Sequence, residues 1–302
     1  MPASAADTRL EALRSPEGAF TMVALDQRES LREMFPPGPD GELVDDAALA
    51  EFKAAATRTL SPLASGMLLD HPLGVPGRFR PAALAAGCGL LLAADRLHSA
   101  RGVGVMSTDL DPAIDAAYVS HVRADALKYL VIWRRGDDDF RADLEAFLNL
   151  ASRAGLPTFI EGIVRPPLGE QWRSTRDRFD AILEAANDLS RDASVYKAEV
   201  PGYVAQDVSG VEAEAKVLTE TIDVPWVVLS NGVERDDFAD AVAAACAGGA
   251  DGFLAGRAIW ADTVSDPDPA ASMAERSVAR LETLKALVAD ARRGSLAEDP
   301  IR

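Results

Sequence analysis

Eight short apolar runs recur along this chain, bounded by polar residues or glycine and separated by stretches with helical spacing. They are Phe20 to Asp26, Gly66 to Asp70, Gly89 to Asp95, Leu127 to Trp133, Pro157 to Val164, Ser194 to Val200, Trp226 to Gly232 and Asp251 to Arg257. Alternation of buried strands with amphipathic helices is the pattern of an α/β fold on a parallel sheet. Eight units is the number that closes a (β/α)8 TIM barrel. A doubly wound open sheet shows the same alternation, but no GxGxxG follows the first run. A length of 302 residues suits one barrel or two ordinary domains. The eight runs favour a single barrel domain over 1–302, with 1–15 and 294–302 as terminal extensions.

Helices are expected over Asp45 to Leu60, Asp111 to Ala126, Asp137 to Ala154, Thr175 to Ser190, Val208 to Ile222 and Glu234 to Ala247, with a last one near Ser272 to Arg293. Several open on Asp or Glu, which suits the positive end of a helix, and Gly155 and Gly248 stand where C-terminal caps belong.

Net charge narrows the function. At −17, the chain has no basic stripe with which to displace counterions from a nucleic acid. Any anion-binding site must therefore gather its few cations locally. No apolar run is long enough to cross a membrane, and the first residues lack a basic start and apolar core, so a cytoplasmic protein is expected. Cys88 and Cys246 lie in Ala/Gly-rich stretches without CxxC spacing, which suggests buried thiols. His71, His98 and His121 show no metal-ligand spacing, so neither a metal nor another cofactor is implied. His71 is the one histidine expected near the barrel mouth.

In a barrel, chemistry collects at the C-terminal ends of the strands. Asp26, Gln27 and Arg28 end the first run, Asp70 and His71 the second, Asp95 the third, and Glu161 and Arg165 lie on or after the fifth. Lys128, Lys197 and Glu199 fall within runs. Lys197 is the outlier, because alternation in Ser-Val-Tyr-Lys-Ala-Glu-Val points it into the barrel. Burial disfavours an ammonium, and a neutral amine attacks carbonyls. An ordinary ion pair with Glu161 or Glu199 accounts for the same residue equally well. Glu161 is placed to move protons on a substrate, or to pair with Arg165 or Lys128.

Ser230-Asn231-Gly232 and Gly256-Arg257 end the last two runs, where barrels often bind phosphate through backbone amides. Glycine lets the backbone approach, and Arg257 offers a fork of donors. Simple turn chemistry is the competing explanation.

These residues resemble a known family, the class I aldolases that include tagatose 1,6-bisphosphate aldolase and sulfofructosephosphate aldolase. The resemblance runs nearly end to end. It is strongest in Ala24-Leu25-Asp26-Gln27-Arg28-Glu29, Leu60-Ser61-Pro62, Val164-Arg165-Pro166-Pro167, Tyr196-Lys197-Ala198-Glu199-Val200-Pro201 and Phe253-Leu254-Ala255-Gly256-Arg257-Ala258-Ile259-Trp260. It implies a Schiff base on Lys197, proton transfer by Glu161, and Asp26, Gln27 and Lys128 lining the site. It further implies a phosphate held by Ser230, Gly232 and Arg257, although Asn231 departs from the small residue usual there.

Leu69-Asp70-x-x-x-Gly74-x-Pro76 keeps the frame of the tagatose-type enzymes, whereas Leu-Val-Ile-Trp-Arg, Val-Arg-Pro-Pro and Gly-Arg-Ala-Ile-Trp resemble the sulfofructosephosphate group. The expected substrate is therefore 6-deoxy-6-sulfofructose 1-phosphate, with tagatose or fructose 1,6-bisphosphate as the alternative. Arg28 or Arg165 would hold the distal anion. A homo-oligomer is expected. A non-catalytic sugar-phosphate sensor and a phosphosugar isomerase are the readings of another class, and neither needs a covalent lysine adduct.

Overall fold

The computed structural model describes residues 5–298 apart from 101 and 103, and the side chains of 8–294 within that range. Of the two expected extensions, 1–4 and 299–302 lie outside the described residues.

The eight apolar runs become β1 (Phe20–Ala24), β2 (Gly66–Asp70), β3 (Gly89–Ala93), β6 (Ala126–Trp133), β7 (Thr158–Val164), β8 (Val195–Ala198), β9 (Trp226–Val228) and β10 (Gly252–Ala255). All pair in parallel and close in the order β1-β10-β9-β8-β7-β6-β3-β2. The fold is a single-domain TIM barrel. Between β3 and β6 the chain forms an antiparallel hairpin, β4 (Asp95–Ala100) with β5 (Gly104–Leu110), which the apolar periodicity does not reveal.

The outer ring comprises α3 (Asp46–Leu60), α4 (Ala116–Val122), α5 (Arg141–Ala154), α6 (Thr175–Leu189), α7 (Val211–Thr221), α8 (Phe238–Ala247) and α11 (Val278–Glu298). Shorter helices are α1 (Ala5–Glu11), α2 (Glu29–Arg32), α9 (Arg257–Trp260) and α10 (Pro269–Ser272). Among the described residues, no helix is long and apolar enough to cross a membrane.

Asp45 caps α3 by accepting from Ala48 N, and Ser174 caps α6 by accepting from Asp177 N. Gly155 closes α5 in the left-handed conformation, as expected. Several helices begin later than their sequence pattern. Asp137 and Asp111 accept from backbone N–H groups two residues on, so these acidic stretches form turns before α5 and α4.

Strand alternation sorts side chains between two compartments. Leu127, Tyr129, Val131, Tyr196, Ala198 and Trp226 face outward into the layer shared with the helices. Inward, the floor of the barrel is apolar: Phe20, Met22, Ala24, Leu68, Leu91, Ala93, Ala126, Phe159, Val195, Val227 and Leu254 pack together. Leu13, within the expected N-terminal extension, is fully buried in this floor.

Candidate active site

Each of six strands changes character two residues beyond its floor residue. Ala24 is followed by Asp26, Leu68 by Asp70, Ala93 by Asp95, Ala126 by Lys128, Phe159 by Glu161 and Val195 by Lys197. A step of two keeps the side chain on the same face. An ionised layer therefore lies directly above the apolar floor, and all six residues are buried. Leu130, Ile132, Ile163 and Leu229 form an apolar crescent, on which the hairpin side chains Leu97 and Val105 pack.

Lys128 is the hub. Its Nζ lies 2.8 Å from Asp26 Oδ2, 3.0 Å from Asp95 Oδ2 and 2.8 Å from Glu161 Oε2. Burial works against its charge, but Asp26, Asp95 and Glu161 together outweigh it and hold the ammonium well above the ordinary lysine range. Lys197 has a simpler environment, in which Nζ donates to Glu161 Oε2 at 3.0 Å. One carboxylate oxygen thus bridges both lysines.

Burial raises the Asp26 and Glu161 carboxyls, yet Lys128 and then Lys197 hold both below their ordinary values. Asp95 goes the other way: burial, reinforced by the Asp26 charge, pushes it up despite Lys128 and Arg28. Its Oδ2 also accepts from Leu130 N at 2.9 Å.

At one side of this layer, Arg28 Nε lies 3.3 Å from Asp70 Oδ2 and Nη2 donates to the Asp95 carbonyl at 2.7 Å. Lys53 of α3 binds the other Asp70 oxygen. Asp70 is fully buried, and neither it nor Arg28, both expected as substrate-binding residues at the strand ends, is on the cavity lining. Their charges are already satisfied by each other, by Lys53 and by the backbone. His71 likewise turns aside, its ring edge-on to Tyr118 and its Nδ1 3.6 Å from Asp111. Glu199 leaves the site altogether, accepting from Val164 N at 2.9 Å and pairing with Arg178 at 3.0 Å.

A cavity of about 490 Å³ opens above the ionised layer, lined in part by Asp26, Gln27, Lys128, Glu161, Arg165 and Arg257. Its size suits a small sugar phosphate. Lys197 is not itself on that lining; it lies directly beside Glu161, which is.

The strands bearing the last two turns stop at Val228 and Ala255, earlier than the apolar runs suggest, so Ser230 to Gly232 and Gly256 are loop. Gly232 has φ +76°, and a Cβ on Gly256 would stand 2.6 Å from the Ala24 carbonyl oxygen and 3.0 Å from Gln27 Nε2. Only glycine passes there. Gly256 N donates to Ser230 Oγ at 3.4 Å, which ties the two turns together, and the Arg257 guanidinium donates to Asn231 Oδ1. Burial lowers Arg257 from its ordinary value, with Glu161 and Asp26 opposing and Arg165 adding to the shift.

Sequence reasoning gave Asp95 no role and missed Lys53. The signal for Asp95 is the same two-residue step that marks its five neighbours. Lys53 lies on the buried stripe of α3 formed by Leu49, Phe52, Ala56 and Leu60, where a solvated lysine does not belong.

A closed barrel with two buried lysines sharing a carboxylate at the C-terminal ends of its strands fits a class I aldolase, an aldehyde-lyase. The chain belongs to the DeoC/LacD family aldolases, whose pattern matches residues 20–262. It is 28% identical over 284 residues to tagatose 1,6-diphosphate aldolase from Streptococcus pneumoniae serotype 4, covering 85% of each chain. It is also 28% identical over 300 residues to tagatose 1,6-diphosphate aldolase 1 from Enterococcus faecalis, covering 91% of this chain and 89% of that protein. Among solved structures, an archaeal fructose 1,6-bisphosphate aldolase superposes with a TM-score of 0.64 at 14% identity, covering 94% of this chain and 98% of that one. A fructose-bisphosphate aldolase from Slackia heliotrinireducens superposes at 0.63 with 15% identity, covering 97% and 90%. These two carry the likeness of fold.

Proposed function

We propose that Lys197 is the Schiff-base lysine of an aldolase cleaving a ketose 1,6-bisphosphate of the tagatose or fructose type to dihydroxyacetone phosphate and glyceraldehyde 3-phosphate. The observation that carries this reading is the charge balance of the site. Lys53, Arg28, Lys128 and Lys197 are matched by Asp70, Asp95, Asp26 and Glu161. Arg257 and Arg165 both line the cavity, and neither has a carboxylate partner among the described residues. Two unmatched guanidinium groups suit a substrate with an anion at each end.

Lys128 is bound by three carboxylates and stays an ammonium, which leaves Lys197 as the amine for chemistry. In this reading Glu161 takes a proton from Lys197, and the free amine attacks the C2 carbonyl. Glu161 then passes the proton to the carbinolamine hydroxyl, water leaves, and a protonated imine forms. The imine accepts the electron pair of the breaking C3–C4 bond while a base, with Glu161 the nearest, takes the C4 hydroxyl proton. The aldehyde departs. The enamine is protonated at C3, and water releases dihydroxyacetone phosphate and the lysine.

Gln27 Oε1 is buried with no partner among the described residues, so it is available to a substrate hydroxyl. Ser230, Asn231, Gly232, Gly256 and Arg257 would hold the C1 phosphate, and Arg165 the distal one. The names of the relatives above support the bisphosphate over the sulfonate expected from individual sequence segments.

Borohydride reduction in the presence of dihydroxyacetone phosphate, followed by peptide mapping, should place the adduct on Lys197. An unmodified Lys197 sinks the reading. Tagatose and fructose 1,6-bisphosphates should be cleaved faster than 6-deoxy-6-sulfofructose 1-phosphate, and the reverse order restores the sulfonate.

A further inference from the structure

Lys53 is a charged residue of the network that stays off the cavity lining. It stands on α3, outside the barrel, and is fully buried on a stripe that is otherwise apolar except for Thr57. Burial lowers it from the ordinary lysine value, and Asp70 offsets that only in part. An apolar residue would pack there without the cost of desolvating a charge.

What the ammonium contacts explains its presence. Its Nζ donates to the Leu25 carbonyl at 2.7 Å and also binds Asp70. Leu25 N in turn donates to the Leu68 carbonyl at 2.8 Å. The backbone that carries Asp26 is therefore held on one side by β2 and on the other by Lys53. The second route runs through side chains: Asp70 holds Arg28, Arg28 holds the Asp95 carbonyl, and Asp95 contacts Lys128 at 3.0 Å. Both routes end on Lys128, one through Asp26 and one through Asp95.

We infer that Lys53 is a positioning residue for the reaction: acting through Leu25 and Asp70, it sets where Lys128 stands and hence how Glu161 is shared between Lys128 and Lys197. The inference rests on the aldolase reading above. It assigns Lys53 a role in turnover rather than in substrate affinity, because its polar contacts among the described residues are with Leu25 and Asp70, not with the turns at Ser230 and Gly256 or with Arg165.

The test compares wild type, Lys53→Met and the double variant Lys53→Met/Asp70→Leu by Tm, kcat, KM and the rate of borohydride trapping. Lys53→Met should lose kcat on the order of a hundredfold, as a small displacement of catalytic groups does, with KM changed by less than about threefold. Trapping should still modify Lys197, but more slowly. The double variant removes the charge pair together, so it should regain Tm without regaining kcat.

A folded Lys53→Met enzyme with kcat within about threefold of wild type overturns the inference, as does a double variant that recovers kcat along with Tm. So does a rise in KM at unchanged kcat. If Lys53→Met does not fold, the double variant decides alone: wild-type kcat refutes, and low kcat at wild-type Tm supports. Trapping in the wild type keeps the two readings apart. Its failure there removes the Schiff-base reading, whereas kcat in the variants reports on Lys53.

Discussion

The floor and the ionised layer of the barrel are one step apart on the same strands, yet they are built from opposite materials. The floor is apolar and sealed by Leu13, and it gains free energy simply by excluding water. The layer above buries ammonium and carboxylate groups whose desolvation is costly, and it is tolerable because each charge finds a partner. The difference shows why the barrel can afford such a site. Stability comes from the floor and the helix layer, which leaves the upper layer free to hold groups chosen for reactivity.

Substitutions should separate the two layers cleanly. The largest effect is expected from Lys197→Met, with kcat falling on the order of 10⁴-fold or more while the circular dichroism spectrum is unchanged. Retained turnover would mean that this lysine is structural. Glu161→Gln comes next, with a loss in kcat of about 10²- to 10⁴-fold, measured in the same assay.

The floor should respond in the other currency. Leu13→Ala is expected to cost roughly 2–5 kcal/mol of unfolding free energy by denaturant titration, because it opens a cavity in a packed layer. The folded fraction should keep its kcat. A large drop in kcat per folded molecule would show that the two layers are coupled.

A smaller effect concerns pH. The folded Glu161 value is lowered, so its contribution to stability is fully present above its ordinary value of 4.5 and is lost as pH falls through the folded value. The Tm gap between wild type and Glu161→Gln should thus be constant near neutrality and close below pH 4.5. Asp95 has the opposite sign, its ionisation costing stability as pH rises through a raised value. Asp95→Asn should accordingly lower Tm less than Glu161→Gln, and a larger drop would place the main electrostatic support at Asp95.

Much of this site can be read from the chain. Lys197, Glu161, Lys128 and Asp26 declare themselves as charged residues on the inward face of apolar runs, and Gly232 and Gly256 mark their turns. Arg28 and Asp70 show the same signature but stand behind the cavity, because Lys53, on an element distant in sequence, claims Asp70. The hairpin from Asp95 to Leu110 escapes detection for another reason: beyond Asp95 its strands are exposed or only half-buried, so they lack a continuous apolar face to repeat.

By itself the sequence determined the eight units, the inward face of each strand and the turns at the strand ends, because alternation and turn chemistry act over a few residues. Tertiary structure decided the pairing. Lys128 meets Asp26 across 102 residues of chain, and Lys197 meets Glu161 across 36. Such partners are chosen only when the barrel closes and the relative register of its strands brings their charges to one height.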